Sequence, residues 1–78
     1  MALVNFYAAA KAAAGSSSLK IPAGSLDGLL DQLSAMNPEM AKLIPTCSFL
    51  INGVATTDRE QLLVEGDEVD ILPQFAGG

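Results

Sequence analysis

A single amphipathic helix dominates the predicted architecture. The stretch SLDGLLDQLSAM places apolar residues at i, i+3, i+4, i+7 and i+10, which form one stripe along a helix. The stripe consists of Leu26, Leu29, Leu30, Leu33 and Met36. Ser25 precedes it as the predicted N-cap, and Asn37 and Pro38 end it and open a second, short helix. A helix with one apolar stripe must bury that stripe against another element, so the rest of the chain has to supply an apolar surface.

The segments before this helix favour two strands and a short helix. ALVNFY at residues 2–7 has apolar residues on both of its alternating faces, which predicts a strand that is central or partly covered. SLKI at residues 18–21 predicts a second strand, which Pro22 ends. Between the two, AAAKAAAG predicts about two helical turns closed by Gly15.

The second half of the chain predicts strands joined by tight turns. Asn52-Gly53 can take the positive φ angles of a type I′ turn, which predicts a hairpin between residues 49–51 and 54–56. EGDEVDIL predicts a turn at Gly66-Asp67 and a last strand over residues 69–72. The order of elements predicts an α+β fold in which one main helix covers a mixed sheet of four to five strands.

Length and composition bound the class of protein. With 78 residues, half of them apolar, the chain suits one domain over residues 1–78, and no apolar run reaches the roughly 18 to 20 residues that cross a bilayer. In MALVNFYAAAK the only lysine follows the apolar run, so we expect mature sequence and no signal peptide. A lone cysteine excludes an internal disulfide. We therefore expect a cytoplasmic protein with no membrane association.

Charge and missing side chains narrow the function further. The chain has no histidine, so we expect neither an independent enzyme nor a metal site. Without a histidine to lower the pKa of its thiol, Cys47 is expected to be a small buried apolar residue. A net charge of -5 disfavours nucleic acid as a partner. Six of the nine acidic residues lie between Asp58 and Asp70, opposed only by Arg59. This run is either a solvated face or a field that steers a basic partner toward the end of the chain.

The end of the chain connects these elements to a known family. SFLING, EGDEVDILP and above all the terminal AGG resemble the MoaD/ThiS family of ubiquitin-like sulfur carriers, and in particular the small subunit of molybdopterin synthase. The resemblance covers essentially the whole chain. It implies a ubiquitin-like β-grasp with residues 74–78 as a flexible Gly-Gly tail. Such a tail reaches roughly 16 to 18 Å when extended, and its glycines make it narrow enough to enter a partner's active site.

The same resemblance implies a role for Gly78. In that family a ubiquitin-activating-like adenylyltransferase uses ATP to adenylate the terminal carboxylate, and sulfur from a donor then replaces AMP to leave a thiocarboxylate. By resemblance, Gly78 would carry the sulfur to a pterin precursor in the large subunit of molybdopterin synthase. As the last residue, it would need no proteolytic trimming. The chain would be non-catalytic alone and would bind no cofactor itself.

A docking patch is predicted beside the tail. If Val69 and Ile71 pack under the long helix, alternation turns Leu72 outward, and Tyr7 is turned outward in the same way. The resemblance implies that the first and last strands are neighbours, which would bring Tyr7 and Leu72 together, with Leu50 or Ala55 joining them from the hairpin. The predicted partner-binding residues are Tyr7, Leu72, Phe75, Ala76 and Gly77. The alternative is that Tyr7 and Leu72 are scattered surface apolar residues.

Other functions stay open from the sequence. A sulfur carrier of the same kind could serve thiamine, cysteine or thiolated-tRNA synthesis. A ubiquitin-like modifier would instead join Gly78 to a lysine of another protein. A noncovalent β-grasp binding module would not need Gly77 and Gly78 at all.

Overall fold

The computed structural model describes residues 1–74. The elements in chain order are β1 (Ala2–Phe6), α1 (Ala9–Ala14), β2 (Ser18–Ile21), α2 (Leu26–Ser34), α3 (Pro38–Leu43), a 3₁₀ turn (Ile44–Thr46), β3 (Cys47–Ile51), β4 (Val54–Thr56) and β5 (Glu68–Pro73). Each predicted strand and helix is present, with ends that differ from the predictions by one or two residues. No helix among these described residues is long and apolar enough to cross a membrane.

The five strands form one mixed sheet in the order β2-β1-β5-β3-β4. β1 and β5 run parallel at the centre, with Val4 beside Val69 and Phe6 beside Ile71, and the other neighbours are antiparallel. The first and last strands are therefore neighbours, as the resemblance implied. A mixed sheet of this order with its helices on one face is the expected β-grasp.

Two turns depend on backbone conformations that the sequence signalled. Asn52 and Gly53 both have positive φ, 49° and 82°, as a type I′ hairpin turn requires, and they join β3 to β4. Gly15 follows α1 with φ of 76° and donates its N–H to the Lys11 carbonyl, which is the predicted glycine cap.

The core lies between α2 and the inner face of the sheet. The Ser25 hydroxyl caps α2 by accepting from the Gly28 N–H at 3.0 Å. The buried members of the stripe are Leu26, Leu29, Leu30 and Leu33, and they share one core with Val4, Phe6, Val69 and Ile71. Met36 is an error of the sequence analysis, because α2 ends at Ser34 and Met36 lies exposed beyond it.

The link from β4 to β5 is fixed to the start of α2. The Leu26 N–H donates to the Gln61 carbonyl at 2.9 Å, and the Leu63 N–H donates to the Gly24 carbonyl at 2.7 Å. Leu63 is buried in the core between its two exposed neighbours. The sequence predicted only a connecting segment here, whereas the structure holds it as a short extended pairing.

Candidate functional site

The end of β5 is the starting point of the candidate site. β5 is the central strand of the sheet, and its last paired residue is Pro73, opposite Cys47 of β3. Proline has no N–H to continue a ladder, so the strand ends where the sequence predicted. Phe75, Ala76, Gly77 and Gly78, which were assigned to partner binding and to sulfur transfer, lie outside the described residues.

The outer face of the sheet is left open by the helices. Because side chains alternate along a strand, burying Val4, Val69 and Ile71 under α2 turns the residues between them to the opposite face. Those outer residues are half-buried by their strand neighbours. The apolar ones on the three central strands are Leu3, Leu50 and Leu72.

Tyr7 and Leu72 lie at the end of this open face nearest Pro73. The last β1–β5 pair is Phe6 beside Ile71, and Tyr7 and Leu72 each follow it by one residue. Leu72 is half-buried opposite Ser48, which confirms that it turns away from the core. Tyr7 is 45% exposed, just beyond the end of β1. The structure thus places both predicted residues beside Pro73, the last paired residue of β5, which we call the root of the tail.

A polar group at the centre of the open face was missed by the sequence analysis. The Asn5 side-chain amide donates to Asp70 Oδ1 at 2.9 Å and to Glu68 Oε1 at 3.2 Å. Asp70 lies between Asn5 and Leu50 in the strand register. The signal was present in the sequence, because an amide within the apolar segment ALVNFY falls on the face away from the core. This group gives the open face a polar centre, in which the Asn5 amide is held by its hydrogen bonds to the two carboxylates.

The position of Tyr7 is set by an unusual turn. Ala8 has φ of 52° and ψ of -126°, which matches the first central position of a type II′ turn. The Ala10 N–H donates to the Tyr7 carbonyl at 3.0 Å and closes this turn at the start of α1. Tyr7 also lines a cavity of about 430 Å³ together with Asn5 and Lys11. A tyrosine, an asparagine and a lysine thus line one cavity at this corner of the sheet.

Cys47 lies close to the root of the tail but has the properties of a structural residue. It is half-buried, packs against the core, and its Sγ–H donates to the Leu43 carbonyl at 3.3 Å. Burial raises the pKa of the Cys47 thiol. A raised pKa lowers the fraction of thiolate at neutral pH, so the local chemistry disfavours a nucleophilic role.

The described residues show no preassembled metal centre. Among residues 1–74 there is no group of three or more cysteine, aspartate and glutamate side chains placed to hold a metal ion. Several acidic side chains instead accept hydrogen bonds from the chain itself. Asp67 accepts from the Val64 N–H at 2.8 Å and from the Asn52 amide at 2.9 Å, and these two bonds lower the pKa of Asp67.

Comparison with protein families identifies the chain. The profile of the ThiS family matches residues 4–78, which is nearly the whole sequence. The chain belongs to the ThiS family. This ThiS-family protein is thus a ubiquitin-like β-grasp of the sulfur-carrier type, in agreement with the resemblance read from its sequence. A comparison with curated protein sequences gave no significant match.

Solved structures share the fold over the full length of this ThiS-family chain. The small archaeal modifier protein 1 of Methanosarcina acetivorans is 26% identical with a TM-score of 0.86, covering 99% of this chain and 95% of that one. Subunits 1 and 2 of molybdopterin-converting factor from Helicobacter pylori form a complex that contains a 22% identical chain, with a TM-score of 0.77 and coverage of 99% and 97%. The BexX/CysO complex of Amycolatopsis orientalis contains an 18% identical chain, with a TM-score of 0.78 and full coverage of both chains.

Proposed function

We propose that this protein is the sulfur-carrying small subunit of a molybdopterin synthase. The observation that carries the sulfur-carrier part of the proposal is the extent of the family match, which runs to Gly78 and so includes the two glycines beyond β5. The molybdenum pathway is proposed from the resemblance of SFLING, EGDEVDILP and the terminal AGG to the small subunit of molybdopterin synthase. In this function the Gly78 carboxylate is the working group. It becomes a thiocarboxylate and gives its sulfur to a pterin precursor held by the large subunit.

The proposed chemistry explains why a second enzyme is needed. A carboxylate is a poor acyl donor, because its negative charge resists attack at the carbonyl carbon. A ubiquitin-activating-like adenylyltransferase would join the Gly78 carboxylate to the AMP part of ATP and release pyrophosphate. Sulfur from a donor acting through that enzyme would then displace AMP. The chain itself would supply the reactive carboxyl end, and it would dock first on the activating enzyme and then on the large subunit. It would bind no cofactor of its own.

The structure suits a protein that binds two partners in succession. The tail would leave the sheet from its central strand, immediately after Pro73, so its origin is fixed by pairing with Cys47 on one side. Tyr7 and Leu72 lie beside that origin, on a face that no helix among residues 1–74 covers. We propose that this open face docks on the large subunit while the tail enters its active site, because a patch next to the tail sets both the position and the direction of entry.

A second candidate function is protein modification. The M. acetivorans protein, which is named a modifier, has higher identity and a higher TM-score than the H. pylori molybdopterin chain. In this alternative the activated Gly78 would form an isopeptide bond with a lysine. Sulfur transfer to cysteine, thiamine or tRNA would use the same activated end with a different acceptor.

Reconstitution distinguishes these acceptors. The full-length chain would be incubated with a molybdopterin-type activating enzyme, ATP and sulfide, and then with a molybdopterin synthase large subunit and the pterin precursor. We expect conversion of the precursor to the dithiolene product, and no conversion with a variant lacking Gly77 and Gly78. Formation of the thiocarboxylate without pterin conversion would reject the molybdenum pathway and leave the carrier chemistry standing. Lysine-linked adducts in place of product would favour the modifier.

A further inference from the structure

A second exposed apolar surface lies away from Pro73, at the other end of β5. Leu62 and Val64 flank the buried Leu63 in the segment that pairs with the start of α2, and they are 75% and 64% exposed. Because this segment is extended, burying Leu63 turns both of its neighbours outward. The two exposed side chains are therefore held in place by the backbone pairing and by the core, in contrast to the side chains of a loose loop.

The turn that follows this segment is bonded to the β3–β4 hairpin. The Asn52 amide donates to Asp67 Oδ1 at 2.9 Å, and Asp67 in turn accepts from the Val64 N–H. These bonds tie the hairpin turn to the turn that follows Val64. Val54, two residues beyond Asn52, is 68% exposed. Val54, Leu62 and Val64 are the most exposed of the large apolar side chains in the described residues, and we call the adjacent pair Leu62 and Val64 the valine-leucine surface.

Acidic side chains bracket this surface. Asp58 and Glu60 precede Leu62 along the chain, and Glu65 follows Val64. Arg59, the only cation between residues 58 and 70, donates to Asp27 Oδ1 at 2.7 Å and lies 3.9 Å from Asp31. Its charge is directed toward α2. Glu65 forms an ion pair with the N-terminal ammonium of Met1, so Asp58 and Glu60, which have no ion-pair partner among residues 1–74, supply the negative charge of the rim. A second copy of the chain, a nucleic acid or an anionic lipid surface would meet charge repulsion here.

We propose that the valine-leucine surface docks a positively charged protein segment that places apolar side chains against Leu62 and Val64 and basic side chains against the acidic rim. This docking is separate from the open sheet face. The turn before β5 and Pro73 lie at opposite ends of that strand, about 16 Å apart at 3.3 Å per residue. A partner can occupy the valine-leucine surface without blocking the root of the tail, and the proposal does not depend on what Gly78 does.

The test uses the full-length chain and synthetic peptides as probes. A peptide of alternating lysine and leucine is titrated while backbone amide NMR shifts are recorded. One control peptide replaces leucine with serine, and another replaces lysine with glutamate. We expect shifts centred on residues 58–65, binding at least about tenfold weaker for the lysine-serine peptide, and no binding of the glutamate-leucine peptide.

Variants separate this surface from other acidic or apolar regions. The double variant Leu62→Ser with Val64→Ser should weaken binding of the lysine-leucine peptide at least about tenfold, whereas Met36→Ser, an exposed apolar change elsewhere, should leave it unchanged. Removal of Gly77 and Gly78 should also have no effect. Equal binding by the double variant, or shifts centred on Leu50 and Leu72, would overturn the proposal. Shifts that appear on concentrating the chain alone would overturn it in favour of self-association.

Discussion

At the scale of single residues, Ala8 adopts a strained backbone conformation that the sequence does not predict. Its φ of 52° and ψ of -126° belong to a turn position that normally holds glycine, and residues in such regions cost about 1 to 3 kcal/mol. Nothing in the alanine-rich stretch indicates which alanine departs from helical geometry. The turn was therefore unpredictable, whereas Asn52-Gly53 was predictable because both residue types favour positive φ.

This cost gives the first prediction. Ala8→Gly should raise the free energy of unfolding by about 1 kcal/mol, because glycine adopts this backbone conformation without strain. The greater conformational entropy of glycine in the unfolded chain offsets only part of this gain. Urea denaturation measures the change. Ala12→Gly, inside α1, is the matched control and should lower the stability by about 0.5 to 1 kcal/mol. If Ala8→Gly destabilised the protein as much as Ala12→Gly, the strain at Ala8 would be refuted.

Asp67 gives a prediction about acid. Hydrogen bonds from the Val64 N–H and the Asn52 amide lower the pKa of Asp67 in the folded state. The stabilisation from this group is therefore present above its unfolded pKa of about 4 and is lost as the pH falls through the lower folded pKa. NMR titration of the side-chain carboxyl should give a pKa below the ordinary aspartate value, and Asp67→Asn should flatten the acid side of the stability curve. An ordinary pKa for Asp67 would contradict the assignment of these two bonds.

At the scale of elements, local sequence patterns predicted the helices and turns well. They did not predict the pairing of segments that lie far apart in the chain. The leucine stripe, the serine cap and the hairpin turn are encoded within a few residues, and α2 and the β3–β4 hairpin formed where they were predicted. The pairing of residues 61–63 with residues 24–26 joins segments far apart in the chain, so no local pattern could indicate it. Met36 was misplaced because an apolar period alone cannot show that a helix has already ended.

The burial of the stripe can be tested against an equal change outside the core. Leu33 is fully buried, and Leu33→Ala should cost about 2 to 5 kcal/mol through lost burial and a residual cavity. Leu62 is largely exposed, and Leu62→Ala should change the stability by no more than about 0.5 kcal/mol. Chemical denaturation of both variants provides the comparison. Similar losses would mean that Leu62, too, is buried, which would also remove the basis of the valine-leucine surface.

At the scale of the whole molecule, the sheet separates a core face from an open face. The sequence predicted Leu72 and Tyr7 as outward residues, because strict alternation on β1 and β5 leaves little choice once the core face is known. It did not predict the Asn5–Asp70 bond at the centre of the same face, since that bond depends on the parallel register of two distant strands. The assigned roles of Phe75, Ala76 and Gly77 stay predictions.

The proposal that the open face docks on the large subunit leads to a binding prediction. Leu72→Glu should abolish binding to the large subunit, because it places a charge on the apolar patch beside the tail, while the circular dichroism spectrum stays native. Met36→Glu introduces the same charge at an exposed site away from this face and should bind normally. Isothermal titration calorimetry measures the affinity of both variants for the large subunit. Undiminished binding by Leu72→Glu would reject the open face as the docking site.

The central claim is that Gly78 is activated and carries sulfur. The most direct measurement is fragment mass spectrometry of the full-length chain after incubation with a cognate activating enzyme, ATP and a sulfur donor. We predict that one oxygen is replaced by sulfur in the fragment that contains Gly78, and that no such change occurs without ATP. Fragment localisation is essential, because oxidation of Met1, Met36 or Met40 adds almost the same mass. A plain carboxylate at Gly78 under these conditions would contradict the sulfur-carrier account.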